Sequence, residues 1–132
     1  MGHKHMQIGE VSARTGLSLR TIRHYEEVGL APPSARSQGG FRLYTEDDVA
    51  RLLAIRRMKP LGFSLEEMRD LLSVLDALDS PDLSAERRAE LTRRLAEYRA
   101  RADRRCAELR DLLAEAERFA AELSDRLPPP RS

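Results

Sequence analysis

The chain has 132 residues, of which 41% are hydrophobic and 34% charged, a composition typical of a globular domain joined to a solvated helix. No run of about 18 apolar residues is present and the N-terminus lacks the apolar core of a signal peptide, so we expect a cytoplasmic protein without a membrane-spanning segment. A single cysteine excludes an internal disulfide. The net charge is +1, but residues 1–60 carry ten basic against six acidic residues, which favours a polyanionic partner for this half.

The first six residues, MGHKHM, predict a mobile N-terminal end or a cloning remnant. His3 and His5 are spaced for loose metal chelation at most. We therefore expect no metal site and no cofactor here, and the ordered domain is predicted to begin at residue 7.

Two short helices joined by a glycine-containing turn are predicted next. The first begins at Ile8 and ends before Gly16, and Ser18 is a favourable N-cap for the second. In the second helix Ile22 and Tyr25 repeat at helical spacing and should face inward. Two such helices form a helix-turn-helix.

A small hairpin is predicted over residues 36–44, with two adjacent glycines at its turn. Strict alternation would place Phe41 and Leu43 on the packed face. It would place the guanidinium of Arg42 and the phenol of Tyr44 on the exposed face. A hairpin after a helix-turn-helix is a wing.

Two further helices follow, each with the sequence of a capping box at its start: Thr45 with Asp48, and Ser64 with Glu67. Their apolar residues recur at helical spacing, so these helices should complete the core of the domain. The predicted inward positions are Val49, Leu52, Leu53, Met58, Leu65, Met68, Leu71, Leu72 and Leu75.

Ser84 begins a very long predicted helix that ends near Leu127, and no glycine or proline interrupts it before Pro128. Its apolar stripe follows a coiled-coil spacing, with one extra-residue step at Cys106. A small domain cannot cover this stripe, so a second copy of the chain is its simplest partner. The predicted dimer interface consists of Leu91, Leu95, Tyr98, Ala102, Cys106, Leu109, Leu113, Ala116, Ala120 and Leu123, with Leu127 at the end of the stripe.

The sequence resembles the MerR family of bacterial regulators. The resemblance covers residues 6–75, and the long helix follows in the expected place. It is carried by Ile8-Gly9-Glu10-Val11, Thr15-Gly16-Leu17-Ser18, Arg20-Thr21-Ile22-Arg23-His24-Tyr25-Glu26, Gly29-Leu30, Pro33, Arg36, Gly40-Phe41-Arg42-Leu43-Tyr44, Asp48-Val49, Leu52 and Leu61-Gly62-Phe63-Ser64-Leu65.

The resemblance implies a mainly α fold: a winged helix-turn-helix DNA-binding head, a second helix-turn-helix, and a long helix forming an antiparallel coiled coil in a homodimer. We predict a tail over residues 1–6, the DNA-binding domain over 7–78, the dimerisation helix over 84–127 and a short tail over 128–132. Phe41 departs from the family, where tyrosine is usual. Because so few residues follow the long helix, we expect no separate ligand-binding domain, and the cysteine clusters of metal-sensing members are absent.

The second helix is expected to enter the major groove, where Arg20 in its first turn could read guanine through a bidentate contact. Arg36, Arg42 and Tyr44 on the wing should hold phosphates, which sets register without reading sequence. The full set of predicted DNA contacts is Ser18, Arg20, Thr21, Arg23, Tyr25, Arg36, Arg42, Tyr44 and Lys59.

Several positions keep a second interpretation. Lys59 either anchors a phosphate or is a solvated cation near a helix end. His24 is either a neutral surface or packing histidine or a ligand, and the first interpretation is favoured. Cys106 either packs in the stripe as a small hydrophobe or acts as a thiol sensor. The basic run at 99–105 is interleaved with acids, which favours a solvated helix face over a second nucleic-acid patch.

The sequence therefore predicts a DNA-binding transcriptional regulator and no enzyme, since no phosphate loop, nucleophile motif or zinc signature is present. By resemblance, the homodimer binds a pseudo-palindrome in promoter double-stranded DNA and distorts it so that RNA polymerase can use the promoter. One alternative is a ligand-responsive repressor that leaves the promoter undistorted. The other is an interaction protein whose coiled coil recruits other factors. The sequence does not identify an effector.

Overall fold

The computed structural model describes residues 5–131. The chain divides into two compact units, of which the first ends at Ser73 and the second begins at Val74. The first contains three helices, a two-stranded sheet, a 3₁₀ turn and the start of a fourth helix, and the second contains the rest of that helix and the long fifth helix. Within residues 5–131, no helix combines the length and the hydropathy needed to cross a bilayer.

The predicted helix-turn-helix is confirmed. Helix α1 spans Ile8–Thr15 and ends at Gly16, whose φ of 75° lies in the left-handed region that glycine adopts without strain. Helix α2 spans Leu19–Glu27, and the Ser18 hydroxyl caps it by accepting from the Thr21 amide at 3.1 Å. Ile22 and Tyr25 are buried, as their spacing predicts.

The wing is a hairpin in which β1 (Ala35–Arg36) pairs antiparallel with β2 (Arg42–Leu43). The predicted alternation of faces is wrong at its two aromatic residues. Phe41 is 65% exposed, whereas Tyr44 is fully buried. The physical reason is a β-bridge outside the hairpin: the Tyr44 amide donates to the Met6 carbonyl and the Met6 amide donates to the Tyr44 carbonyl, each at 2.8 Å. This pairing draws Tyr44 into the core.

The same bridge corrects the prediction for the N-terminal tail. Met6 is a buried core residue, only 5% exposed, and not part of a mobile end. His5 is exposed. The rest of the predicted tail, including His3, lies outside the described residues.

Helix α3 spans Glu46–Met58 and α4 spans Leu65–Leu78, with a 3₁₀ turn at Lys59–Leu61 before Gly62. Both predicted capping boxes form, at Thr45 with Asp48 and at Ser64 with Glu67. Most predicted inward positions are buried, although Leu65 and Leu75 are partly exposed. Buried residues that the sequence analysis did not identify include Leu30, Ile55, Phe63 and Val74.

Helix α5 spans Ala85–Arg126, 42 residues, and the Ser84 hydroxyl caps it by accepting from the Arg87 amide at 3.1 Å. It ends one residue before the predicted boundary, because Leu127 precedes Pro128 and adopts an extended conformation. Its apolar stripe is covered only near the start of the helix. Leu91 is 1% exposed, whereas Leu113 is 59% exposed.

Candidate nucleic-acid interface

Three arginines of α3 and α4 hold the ends of the helix-turn-helix. Arg56 donates to the Thr15 carbonyl at the end of α1 at 2.8 Å, and Arg51 donates to the Leu30 carbonyl at 2.6 Å. Arg69 donates to the Val28 carbonyl at the C-cap of α2. Thr15 and Val28 lie at helix ends, where carbonyls have no partner within the helix, so two of these contacts satisfy them. These guanidiniums therefore serve the fold.

Other lysine and arginine side chains of the first unit are not used by the fold and are available to a ligand. In the part of the chain that the structure describes up to Ser73, four lysine and arginine side chains have neither an ion pair nor a hydrogen bond. These are Arg20, Arg23, Arg57 and Lys59. All four are exposed. Sequence reasoning identified three of them and missed Arg57, whose position in a helix rich in arginine gave no separate signal.

The exposed side of α2 borders a cleft of about 340 Å³. Arg20 and Lys59 line this cleft together with Tyr25, Leu65 and Met68. Thr21 and His24 complete the lining. The cleft brings together four of the predicted DNA contacts, and its combination of positive charge with apolar surface suits a phosphodiester strand with its sugars.

A second cleft, of about 140 Å³, is lined by residues of both α2 and the wing. Arg23 of α2 and Arg42 of β2 both line it, beside Phe41 and Gly40. The exposed ring of Phe41 is a feature that sequence reasoning missed, since the alternation pattern placed it in the core. An exposed apolar ring in a cleft that two arginines also line can pack on a deoxyribose or a thymine methyl group.

Both predicted wing arginines are engaged by one carboxylate of α2. Arg36 donates to Glu26 at 2.5 Å, and the Arg42 Nε–H donates to the other oxygen of the same carboxylate. The hydrogen bond to Glu26 is the main reason that the pKa of Arg42 is raised above its ordinary value, and its remaining N–H groups stay charged donors.

The buried phenol of Tyr44 cannot serve as predicted. Its hydroxyl has no hydrogen-bond partner in the structure, and burial raises its pKa, with the negative charge of Glu26 adding to the shift. A fully buried hydroxyl does not reach a phosphate, so the prediction that Tyr44 contacts DNA is wrong. Ser18 and Thr21 are engaged with each other at the start of α2, where the Ser18 hydroxyl donates to Thr21 Oγ1 at 2.9 Å.

The substitution Tyr44→Phe is expected to raise the free energy of unfolding by about 1 kcal/mol, because it removes a buried hydroxyl that makes no hydrogen bond. DNA affinity should stay unchanged. Thermal denaturation and DNA titration of the same preparation measure both quantities. A loss of affinity without a loss of stability would mean that the hydroxyl reaches DNA after all.

Cys106, on the stripe of α5, keeps both of its interpretations: packing as a small hydrophobe or acting as a thiol sensor. The residue is half-buried in the single chain, as are Leu95, Tyr98, Ala102 and Leu109, whereas the positions from Leu113 onward are exposed. In the basic run at 99–105, Arg99 pairs with Asp103 at 3.2 Å and Arg105 pairs with Glu108 at 3.0 Å. These pairs support a solvated helix face at this run.

A helix-turn-helix followed by a wing defines the winged helix-turn-helix class of DNA-binding proteins. Residues 6–75 match the family described as MerR HTH family regulatory protein, and residues 49–104 match the family described as MerR, DNA binding. The chain belongs to the MerR family of DNA-binding transcriptional regulators.

The chain is also similar to individual regulators of transcription, in sequence and in structure. Heavy metal-dependent transcription regulator 2 of Rhizobium meliloti (strain 1021) is 38% identical over 96 residues, which cover 69% of this chain and 65% of the relative. The chain thus spans less than two thirds of the length of that relative. The crystal structure of a MerR family transcriptional regulator from Listeria monocytogenes superimposes with a TM-score of 0.63 at 30% identity, covering 92% of this chain and 86% of the other.

A third similarity concerns the fold alone. HiNmlR, a MerR family regulator lacking the sensor domain, was crystallised bound to promoter DNA. It superimposes with a TM-score of 0.64 at 23% identity, covering 92% of each chain. The arrangement of a winged head followed by a long helix is therefore common to both proteins.

Proposed function

We propose that this protein acts in the cytoplasm as a homodimer that binds a pseudo-palindromic site in promoter DNA and distorts that site to control transcription. The activity is binding and not catalysis. The observation that carries the proposal is the set of unpaired cations on α2: Arg20 and Arg23 have no partner among residues 5–131, and each lines a cleft at the surface. A cation without a partner at an exposed helix start is suited to a polyanion.

The geometry supports a division of roles between α2 and the wing. Arg20, in the first turn of α2, has a free guanidinium that can approach guanine in the major groove. Arg42 lies on the wing and has its Nε–H occupied by Glu26, so only its remaining N–H groups are available for a phosphate. Lys59 lines the same cleft as Arg20, which supports a role for Lys59 in anchoring the same strand.

The substitutions Arg20→Ala and Arg42→Ala should therefore differ in kind. We expect Arg20→Ala to relax the preference for one base pair in each half-site, by about 1–3 kcal/mol for a good bidentate contact. Arg42→Ala should weaken binding to all sequences by a similar factor. Selection of bound DNA from a random pool, followed by titration, measures both effects. If Arg42→Ala changes the preferred sequence and Arg20→Ala does not, the assignment of the two elements is reversed.

Homodimerisation through α5 is proposed from the exposed stripe. Along the stripe the side chains change from buried at Leu91 to half-exposed at Leu113 and Leu123 in the single chain. Coiled-coil spacing continues through this exposed part, so a second helix would cover it. By the family resemblance, the two helices run antiparallel, which makes the dimer two-fold symmetric and explains a pseudo-palindromic site.

The distortion of DNA distinguishes the proposal from a ligand-responsive repressor. Bending a site of 20–30 base pairs by 40–90° costs roughly 1–6 kcal/mol, which the paired heads and wings would have to offset through phosphate contacts. Transcription in vitro with purified RNA polymerase from a promoter with a long spacer is the direct test. Activation supports distortion, whereas repression without a change in DNA shape supports the alternative.

The Rhizobium meliloti relative is named for a metal response, and we propose no such response for this chain. Among residues 5–131, no group of three or more histidine, cysteine, aspartate or glutamate side chains is placed to hold a metal ion. The one cysteine, Cys106, lies on the proposed dimer stripe.

A further inference from the structure

Two positive side chains lie opposite each other across the wing. Arg36 and Arg42 are direct Cα partners in the antiparallel ladder, and the only other registered pair of the hairpin is Ala35 with Leu43. Like charges directly opposite each other destabilise a sheet, and a two-stranded hairpin on its own is marginally stable in water. The wing therefore requires a counter-charge if its arginines are to be held in fixed positions.

Glu26 at the end of α2 supplies that counter-charge. One carboxylate oxygen accepts from Arg36 Nη2 at 2.5 Å, and the other accepts from Arg42 Nε. The Glu26 side chain is 13% exposed, whereas those of Arg36 and Arg42 are 49% and 29% exposed. Arg36 also donates to the Gly40 carbonyl at 3.3 Å, which links the same network to the turn. One acid thus fastens both strands and the turn of the wing to α2.

The negative charge of Glu26 is unexpected on a surface proposed to bind DNA. A carboxylate on a surface that binds a polyanion repels phosphates, so by charge alone Glu26 should weaken DNA binding. In return it fixes two long side chains that would otherwise lose rotamer freedom when DNA binds, which is an entropic cost of binding. Charge-assisted hydrogen bonds to a largely buried carboxylate are strong enough to hold them.

We infer that Glu26 is a positioning residue of the DNA-binding surface. It holds the wing against α2 so that the wing and α2 meet DNA as one rigid element. The inference rests on the proposed function. It assigns no contact between Glu26 and DNA. Glu26 acts through Arg36 and Arg42, whose outer N–H groups remain available for phosphates.

The test compares Glu26→Gln with Glu27→Gln, using the full-length protein and a DNA duplex selected by the wild-type protein. Both substitutions remove one negative charge from adjacent positions of the same helix, but Glu27 is exposed and forms no ion pair or hydrogen bond within the described residues. Glu27→Gln should bind DNA as tightly as the wild type or more tightly. Glu26→Gln should bind roughly tenfold more weakly, since it loses charge-assisted hydrogen bonds that orient the wing.

A second measurement follows the wing itself. Hydrogen exchange at the amides of Ser37 and Tyr44, which donate to Phe41 and Met6, should become faster in Glu26→Gln while the amides of α3 remain protected. The double variant Glu26→Gln with Arg36→Gln removes the opposed like charges, so it should recover most of the lost protection. Exchange that is faster throughout the domain would contradict a role confined to the wing.

The outcomes separate the two proposals. If the wild-type protein binds no DNA, the proposed function fails, while the exchange experiment still decides whether Glu26 holds the wing. If the wild type binds DNA but Glu26→Gln binds as tightly as Glu27→Gln, the inference is overturned and the proposed function stands. Unchanged exchange at Ser37 and Tyr44 in Glu26→Gln overturns it as well.

Discussion

Replacing Leu109 and Leu113 together by alanine is expected to dissociate the proposed homodimer at micromolar concentration. The two residues lie near the middle of the stripe on α5, and Leu113 is mostly exposed in the single chain, so its burial depends on a partner helix. Each leucine that is buried in the pair contributes about 2–5 kcal/mol, and the two-fold symmetry doubles the loss. Sedimentation equilibrium over a range of protein concentrations measures the dissociation constant directly.

The matched control is Leu112→Ala, which shortens a leucine of similar exposure that lies off the stripe. Its effect on the dissociation constant should be much smaller. Circular dichroism should show that the first unit stays folded in both variants. A double variant that remains a dimer of normal mass would place the interface elsewhere on the chain, and a monomeric wild type would favour the interaction-protein alternative.

The second large effect is expected from salt. DNA affinity should fall by about 10³–10⁵ between 50 and 200 mM salt, the range for proteins that contact 6–10 phosphates, because each neutralised phosphate releases counterions. The cations proposed to make these contacts occur twice in a dimer. They are Arg23, Arg36, Arg42 and Lys59.

Two single substitutions calibrate the salt response. Lys59→Gln should lower the slope of log affinity against log salt by about two, one for each copy in the dimer. Arg99→Gln should leave it unchanged, since Arg99 pairs with Asp103 on α5 and belongs to the run interpreted as a solvated face. A flat salt response of the wild-type protein would contradict DNA binding through phosphates. A reduced slope in Arg99→Gln would identify a second nucleic-acid patch.

The sequence predicted those parts of the fold that short-range signals determine. Gly16, Ser18, Thr45 and Ser64 act within a few residues of their own positions, and the structure places each at the helix boundary that it predicted. The faces of the wing were predicted wrongly because the deciding contact is distant. Tyr44 is drawn inward by Met6, 38 residues earlier, and no alternation pattern contains that information.

Contacts between residues distant in sequence also determine which charged residues of the candidate site are available to a ligand. Arg56 donates to Thr15 and Arg69 to Val28, each across 41 residues of sequence, so a count of arginines overstates the positive charge that a ligand would meet. Glu26 lies within the segment that carries the family resemblance, but its negative charge gave no reason to include it in a DNA-binding set. The role proposed for it rests on the two wing arginines that donate to its carboxylate in the folded chain.

The uninterrupted 42 residues of α5 have a consequence for the DNA that such a dimer can use. At 1.5 Å per residue the helix is about 63 Å long. In an antiparallel pair the two N-terminal ends lie at opposite ends of the pair. Deleting one heptad from each chain would shorten the pair, and bring these ends closer together, by about 10 Å. That distance corresponds to about three base pairs at 3.4 Å each. Since B-DNA completes a turn in about 10.5 base pairs, the two half-sites would then be rotated by roughly 100° around the duplex. A change in the length of this helix is thus also a change of helical phase, and a heptad inserted or lost would leave the stripe intact while turning the two half-sites out of alignment.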